Sequence, residues 1–183
     1  MDALKLLTVV FAMFSVLDAA AVPCKWAQYR LKYLTEESIE LLLSMSDPMP
    51  LKCLEKREEL EVGFPEDAFQ EAQNIDIAVV ALKTLRGVGR VFKNDQTSVT
   101  WNLEKLRLFK HIVSSRLIEN LQKCVREDAS QKADSSLGKL RSFFDQLEDQ
   151  LREKELSECA WEIAREEVKR SLVKFHEVLM SRS

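Results

Sequence analysis

The sequence predicts an all-α fold: an up-up-down-down long-chain helical bundle with five helices and two disulfides. Three observations carry that expectation. Apolar residues recur at helical spacing in five separate stretches of the 183-residue chain. Only 4 Gly and 4 Pro occur, too few for the turns of a β-sandwich, while 46% apolar residues are enough for one core. The links between the periodic stretches are uneven, the first and third long, the second and fourth short. A short link makes neighbouring helices antiparallel, and a long one lets the chain cross the bundle and return.

The first periodic stretch runs from about Lys25 to Met45, with Ala27, Leu31, Leu34, Ser38, Leu41 and Met45 alternating at spacings of four and three, and Asp47-Pro48 stops it. The segment from Met49 to Gly63 has no period and contains Pro50 and Cys53, so it reads as a long connection. Phe64-Pro65-Glu66-Asp67 then reads as the opening of a second helix. Pro suits the first turn, where its missing N–H would be unpaired anyway, and acids suit the positive helix end. Its apolar face is Phe69, Ala72, Ile75, Val79 and Leu82, and Gly87 and Gly89 are expected to end or fray it.

A third helix is expected from about Ser98 to Val125, with Leu106, Phe109, Val113, Leu117 and Leu121 inward. The polar run Arg126–Ser135 reads as a loop, after which Ser135 or Ser136 is placed to cap the fourth helix. That helix turns Leu137, Leu140, Phe144, Leu147 and Leu151 inward. The fifth starts near Ser157, reaches about Leu179, and buries Trp161, Ala164, Val168, Leu172, Phe175 and Leu179.

Ahead of these helices Lys5 precedes an apolar run, Leu6–Leu17, and then Ala19-Ala20-Ala21. This is the layout of a secretory signal peptide, with residues 1–21 expected to be cleaved off and 22–183 to form the domain. The run is too short to cross a bilayer, and no later segment is apolar for long enough. The product is therefore expected outside the cell, without membrane insertion. In that compartment Cys24, Cys53, Cys124 and Cys159 suggest two disulfides, and spacing leaves all three pairings open.

The charge balance excludes other classes. With 27 Lys+Arg against 30 Asp+Glu the chain has no basic excess for nucleic acid or an anionic membrane. Catalytic sets are missing as well. His176-Glu177 begins like a zinc-binding His-Glu-x-x-His, but Met180 stands where the second histidine is needed. His111 has no partners for a triad, and neither a phosphate-binding glycine loop nor a nucleophile elbow occurs. No enzyme, metal or cofactor is expected.

Several short blocks point to a family. The run Cys159-Ala160-Trp161-Glu162 opening the last helix resembles the hallmark of type I interferons. Leu140-Arg141-Ser142-Phe143-Phe144, Leu151-Arg152-Glu153-Lys154, Cys53-Leu54-Glu55-Lys56-Arg57 and Gly63-Phe64-Pro65 resemble further blocks of the same family, so the likeness covers most of the chain after the leader. The four-cysteine pattern is similar to that of one branch of fish interferons and of mammalian alpha forms. The resemblance implies the pairings Cys24–Cys124 and Cys53–Cys159. It also implies a monomeric secreted cytokine that pairs two class II helical-cytokine receptor chains, the two-chain type I interferon receptor, and so turns on JAK-STAT signalling and antiviral genes.

By the same resemblance the high-affinity chain meets the first loop and the last helix, at Leu54, Arg57, Arg165 and Arg170, and the second chain meets Arg141 on the opposite side. Arg165 has an alternative partner in Glu162, one turn earlier. Trp161 is expected in the core. Lys169 and Lys174 depart from the family, which often carries apolar residues there, and would make the patch more charge-driven. A growth-hormone-like or interleukin-10-like ligand is the alternative; it shares the bundle but lacks the Cys-Ala-Trp-Glu opening. A helical carrier or enzyme would need a polar or cofactor-binding core, whereas these stripes are Leu, Val, Ile and Phe.

Overall fold

A computed structural model describes residues 30–57, 62–70, 75–125 and 137–182, and within these every regular element is helical. We label them α1 (residues 30–44), α2 (Leu51–Leu54), α3 (Ile77–Val91), α4 (Leu103–Gln122), α5 (Gly138–Glu153) and α6 (Glu158–Ser181). The five long helices are the expected ones, and α2 is a single turn inside the first long connection. None of the described helices is long and apolar enough to cross a membrane.

Contacts between helices give their directions. Trp161 near the start of α6 lies on Phe92 just past α3, and Arg182 past α6 donates to the Ile75 carbonyl just before α3. The end of α1 also meets the start of α6, through Ser46 with Glu162 and Leu42 with Arg165. Both α1 and α3 therefore run opposite to α6. Phe109 on Phe92, and Ile118 beside Gly89, set α4 antiparallel to α3. These four helices make the up-up-down-down frame. α5 flanks α3 and runs with it, Phe144 packing on Gly87 and Glu148 meeting Arg90 at 3.3 Å.

The inward residues read from periodicity are inward in the structure. Leu31, Leu34, Ser38, Leu41 and Met45 of the first stretch are buried, as are all those expected of α4, α5 and α6. Two aromatic groups fill the ends of the bundle. Phe92, Trp101, Phe109 and Trp161 cluster at one end, with Phe92–Phe109 centroids 4.7 Å apart. Phe64, Phe69, Phe143, Phe144 and Phe175 cluster at the other. Edge-on and tilted ring packing of this kind is the favoured geometry for aromatic quadrupoles.

The second helix departs from expectation at both ends. Phe64–Asp67 does not open it. Residues 66–70 form turns closed by Ala68 N–H to the Pro65 carbonyl and Gln70 N–H to the Asp67 carbonyl. The helix starts at Asp76, whose carboxylate accepts from the Ala78 N–H at 2.8 Å, a sound N-cap. Nor do the glycines end it, since α3 continues through Gly87 and Gly89 to Val91. A Cβ on Gly87 would lie 2.2 Å from the Phe144 ring, so this glycine serves close approach of α5 rather than termination.

Other boundaries have equally local causes. Asn102 caps α4 by accepting from Glu104 and Lys105 N–H, so α4 starts later than the expected Ser98. Within α4, Ile112–Ile118 is π-helical. The link from α5 to α6 is tight: Glu155 and Leu156 take left-handed backbone with φ 52° and 54°, and Leu156 N–H closes on the Leu151 carbonyl at 2.8 Å. The expected leader 1–21, Cys24, Ala27, Ala72, the polar run after Val125 and the candidate cap at Ser135 or Ser136 lie outside the described residues.

Candidate functional site

The site is built where the first connection meets α6. Cys53, on the single turn α2, is bonded to Cys159 in the first turn of α6, a closure of 106 residues with Cα atoms 4.9 Å apart. Met49 and Ile163 pack around the sulfurs, and Lys52 pairs with Glu158 at 2.5 Å on the outside. In the chain-entropy account a loop of this length contributes about 4–5 kcal/mol. The expected pairing of Cys53 with Cys159 is thus present. Cys124 is also disulfide-bonded.

A second pin holds the far end of the same connection. The Phe64 N–H donates to Glu167 Oε2 at 3.0 Å, and its ring packs edge-on to Phe143 at 5.1 Å. Glu167 is buried, and its other oxygen lies 3.2 Å from Arg170 Nη1. The two pins, Cys159 and Glu167, are eight residues apart on α6, roughly 12 Å along its axis. Both α2, which carries Leu54, and Phe64 are thereby tied to α6.

The expected contact residues then separate by exposure. Leu54 is 45% exposed and Leu51, one turn earlier, 79%. Arg57 and Arg170 are half-buried. Arg141, on α5, is exposed and lies 3.7 Å from Asp145. Arg165 corrects the expectation: it is 3% exposed and faces the core. Its Nε and Nη2 donate to Glu162 Oε2 at 3.1 and 2.8 Å, and its Nη1 donates to the Leu42 carbonyl at 2.7 Å. Its carbon Cζ sits 6.0 Å from the Trp101 ring centroid. A guanidinium bound in this way is withdrawn from any partner, and the Glu162 alternative is the one realised.

Glu162 is the hub of that interior network. Besides Arg165, it accepts from Ser46 Oγ at 2.8 Å and from Trp101 Nε1 at 2.6 Å. One carboxylate thereby ties the end of α1, the approach to α4 and the start of α6. Trp161 is fully buried, as expected, and its Nε1 donates to the Asp95 carbonyl at 2.9 Å. The block Cys159-Ala160-Trp161-Glu162 is therefore architecture: a cross-link, a core aromatic and a buried acceptor on successive faces of one turn.

The surface itself is not a bare cationic patch. Lys169 pairs with Glu166, and Lys174 lies 3.2 Å from Glu66 and 3.3 Å from Glu177. Those two carboxylates raise the pKa of Lys174 above its ordinary value, chiefly through hydrogen bonding. Exposed large apolar side chains on these elements include Leu51 and Leu54 on α2 and Val173 on α6, three residues after Arg170. Sequence reasoning missed Leu51 and Glu167. The signal for Leu51 was its position two residues before a cross-linked cysteine; for Glu167 there was none, because its partner is a backbone N–H 103 residues away.

The comparisons with known proteins agree with this architecture. Residues 27–181 match the family model described as the interferon alpha/beta domain. The chain belongs to the interferon alpha/beta family. Interferon tau-11 of Ovis aries is 32% identical over 154 residues, 78% of this interferon and 75% of the relative. Interferon a3 of Oncorhynchus mykiss is 25% identical over 167 residues, 89% of each chain. The structure of zebrafish interferon 2 superposes with a TM-score of 0.66 at 29% identity, covering 80% of this interferon and 97% of the zebrafish chain. The family is one of type I interferon cytokines rather than enzymes.

Proposed function

We propose that this interferon is secreted after removal of residues 1–21 and acts as a monomer that pairs the two chains of a class II cytokine receptor. The high-affinity chain docks on the face made by the first connection and α6, with Leu54 as the apolar anchor and Arg57 and Arg170 beside it. The second chain docks across α5, where Arg141 is exposed. Receptor pairing brings the associated kinases together, and JAK-STAT signalling switches on antiviral genes. The observation that supports this reading most is the double tie of the first connection to α6, Cys53 to Cys159 and Phe64 to Glu167, with Leu54 exposed next to the first tie and Arg170 paired to the second. A leucine that excludes water next to planar guanidinium groups has the character of a binding hot spot. The remaining cross-link in this reading is Cys24–Cys124.

The test is direct. Arg57→Glu and Arg170→Glu, each confirmed folded by circular dichroism, should weaken binding to the high-affinity receptor ectodomain by about 2 kcal/mol, roughly thirtyfold. Antiviral gene induction should fall in parallel. Full signalling by both folded variants rejects the assignment. Peptide mapping of unreduced secreted protein should yield a Cys24–Cys124 fragment.

A further inference from the structure

A groove of about 460 Å³ runs between α3 and α4. Its volume falls within the roughly 300–1,000 Å³ typical of small-molecule sites. Val88, Gly89, Phe92, Phe109, Val113 and Ile118 line it, so its walls are almost wholly apolar. The charged residues lining it, among the described ones, are basic: Arg86 and Arg90 on α3, Lys93 just past its end, and Lys110 opposite on α4. Arg90 is engaged by Asp145 and Glu148, and Lys110 donates to Gln96. Arg86 and Lys93 are exposed and form no ion pair among the described residues.

Two features of the backbone make this groove. A Cβ on Gly89 would meet Ile118 Cδ1 at 3.3 Å and Val113 Cγ1 at 4.0 Å, so a side chain there would enter the cleft. Gly87 is held as glycine by the Phe144 ring, but no such ring lies over Gly89. A glycine in mid-helix weakens the helix relative to alanine, and here it lets Ile118 and Val113 of α4 approach the α3 backbone that forms the floor of the cleft. The facing wall is the π-helical turn Ile112–Ile118, an irregularity found frequently at functional sites.

We propose that this groove binds a free medium-chain fatty acid, its alkyl chain along Gly89, Val113 and Ile118 and its carboxylate against Lys93 or Arg86. An apolar trough with cations and no acid among its described lining residues matches an anionic amphiphile and disfavours a cationic one. From Arg86 on α3 to Lys93 just past its end the trough runs roughly 10 Å, the reach of a medium rather than a long chain.

Isothermal titration of the secreted protein with laurate, dodecanol and dodecyltrimethylammonium tests this. Laurate should bind saturably at one site, dodecanol more weakly, and the cation not at all. Gly89→Leu should raise the laurate Kd at least about tenfold. The double reversal Arg86→Glu with Lys93→Glu, both exposed positions, should do the same for laurate and leave dodecanol unchanged. If Gly89→Leu fails to fold, magnetisation transfer from bound laurate to the methyls of Val113 and Ile118 in the unaltered protein replaces it. Absence of saturable laurate binding, equal binding of the cation, no transfer to those methyls, or uptake only onto phosphatidylserine vesicles would overturn the proposal. Receptor binding through α6 does not enter the experiment, so either reading can fail alone.

Discussion

Arg165 and Arg170 sit on the same helix, five residues apart, and do opposite things. Arg165 is 3% exposed and spends its donors on Glu162 and the Leu42 carbonyl. The side chain of Arg170 is 34% exposed and leans on the buried Glu167, which also holds Phe64. Both positions carry a guanidinium and both pair with an acid three residues earlier. The difference lies in what arrives from elsewhere in the chain: the end of α1 covers Arg165, whereas the acid that holds Arg170 is met by the backbone of Phe64 and leaves the guanidinium partly open. A local pair of identical chemistry is thus a buried clamp in one place and partly open to solvent in the other, where the proposed docking face lies.

The first connection offers the severest test of that contrast. Cys53→Ser with Cys159→Ser should lower stability by about 4–5 kcal/mol in urea titration, and residual folded protein should bind receptor poorly because α2 is no longer pinned. Arg165→Ala should follow closely. It leaves Glu162 charged, buried and short of two donors, a loss of about 3–5 kcal/mol. Glu162→Gln combined with Arg165→Met should recover much of it. If Arg165→Ala instead weakened only receptor affinity, the assignment of Arg165 to the interior would be wrong.

The packing glycine comes next. Gly87→Ala forces a methyl group into the Phe144 ring and should cost about 1–3 kcal/mol, while Gly89→Ala should be near neutral. Arg170→Ala should lie lower still, at about 1 kcal/mol of stability or less, with its main effect on receptor binding. The smallest effect belongs to Asp67, which Lys139 holds below its ordinary pKa through a hydrogen bond at 2.6 Å. A carboxyl with a lowered folded pKa stabilises above its unfolded value and loses that contribution as pH falls through the folded one. Asp67→Asn should therefore differ from the parent slightly at neutral pH and not at all in strong acid, as followed by thermal melts across pH.

Much of the fold is legible in the order of residues. Leu31, Leu34, Ser38, Leu41 and Met45 repeat at helical spacing because burial on one face is a local, periodic demand, and the same holds for α4, α5 and α6. Capping is nearly as local, although Asp76 went unread beside the stronger-looking Phe64-Pro65 signal. The candidate site was legible in part: Leu54, Arg57 and Arg170 came from short blocks, and Arg165 was carried along with them until its burial separated it.

The sequence by itself determined that this chain is helical, which stripes face inward and which family it resembles. Each of these rests on spacing within a turn or two, or on a block of a few residues. Only the tertiary structure decided that Glu162 gathers Ser46, Trp101 and Arg165, that Phe64 closes on Glu167, and that Gly87 admits Phe144 while Gly89 lets Ile118 approach. Except for the bond between Glu162 and Arg165, those partners lie far apart along the chain. Burial, and with it the role of a charge or a glycine, depends on which distant surface arrives, and no local pattern encodes that.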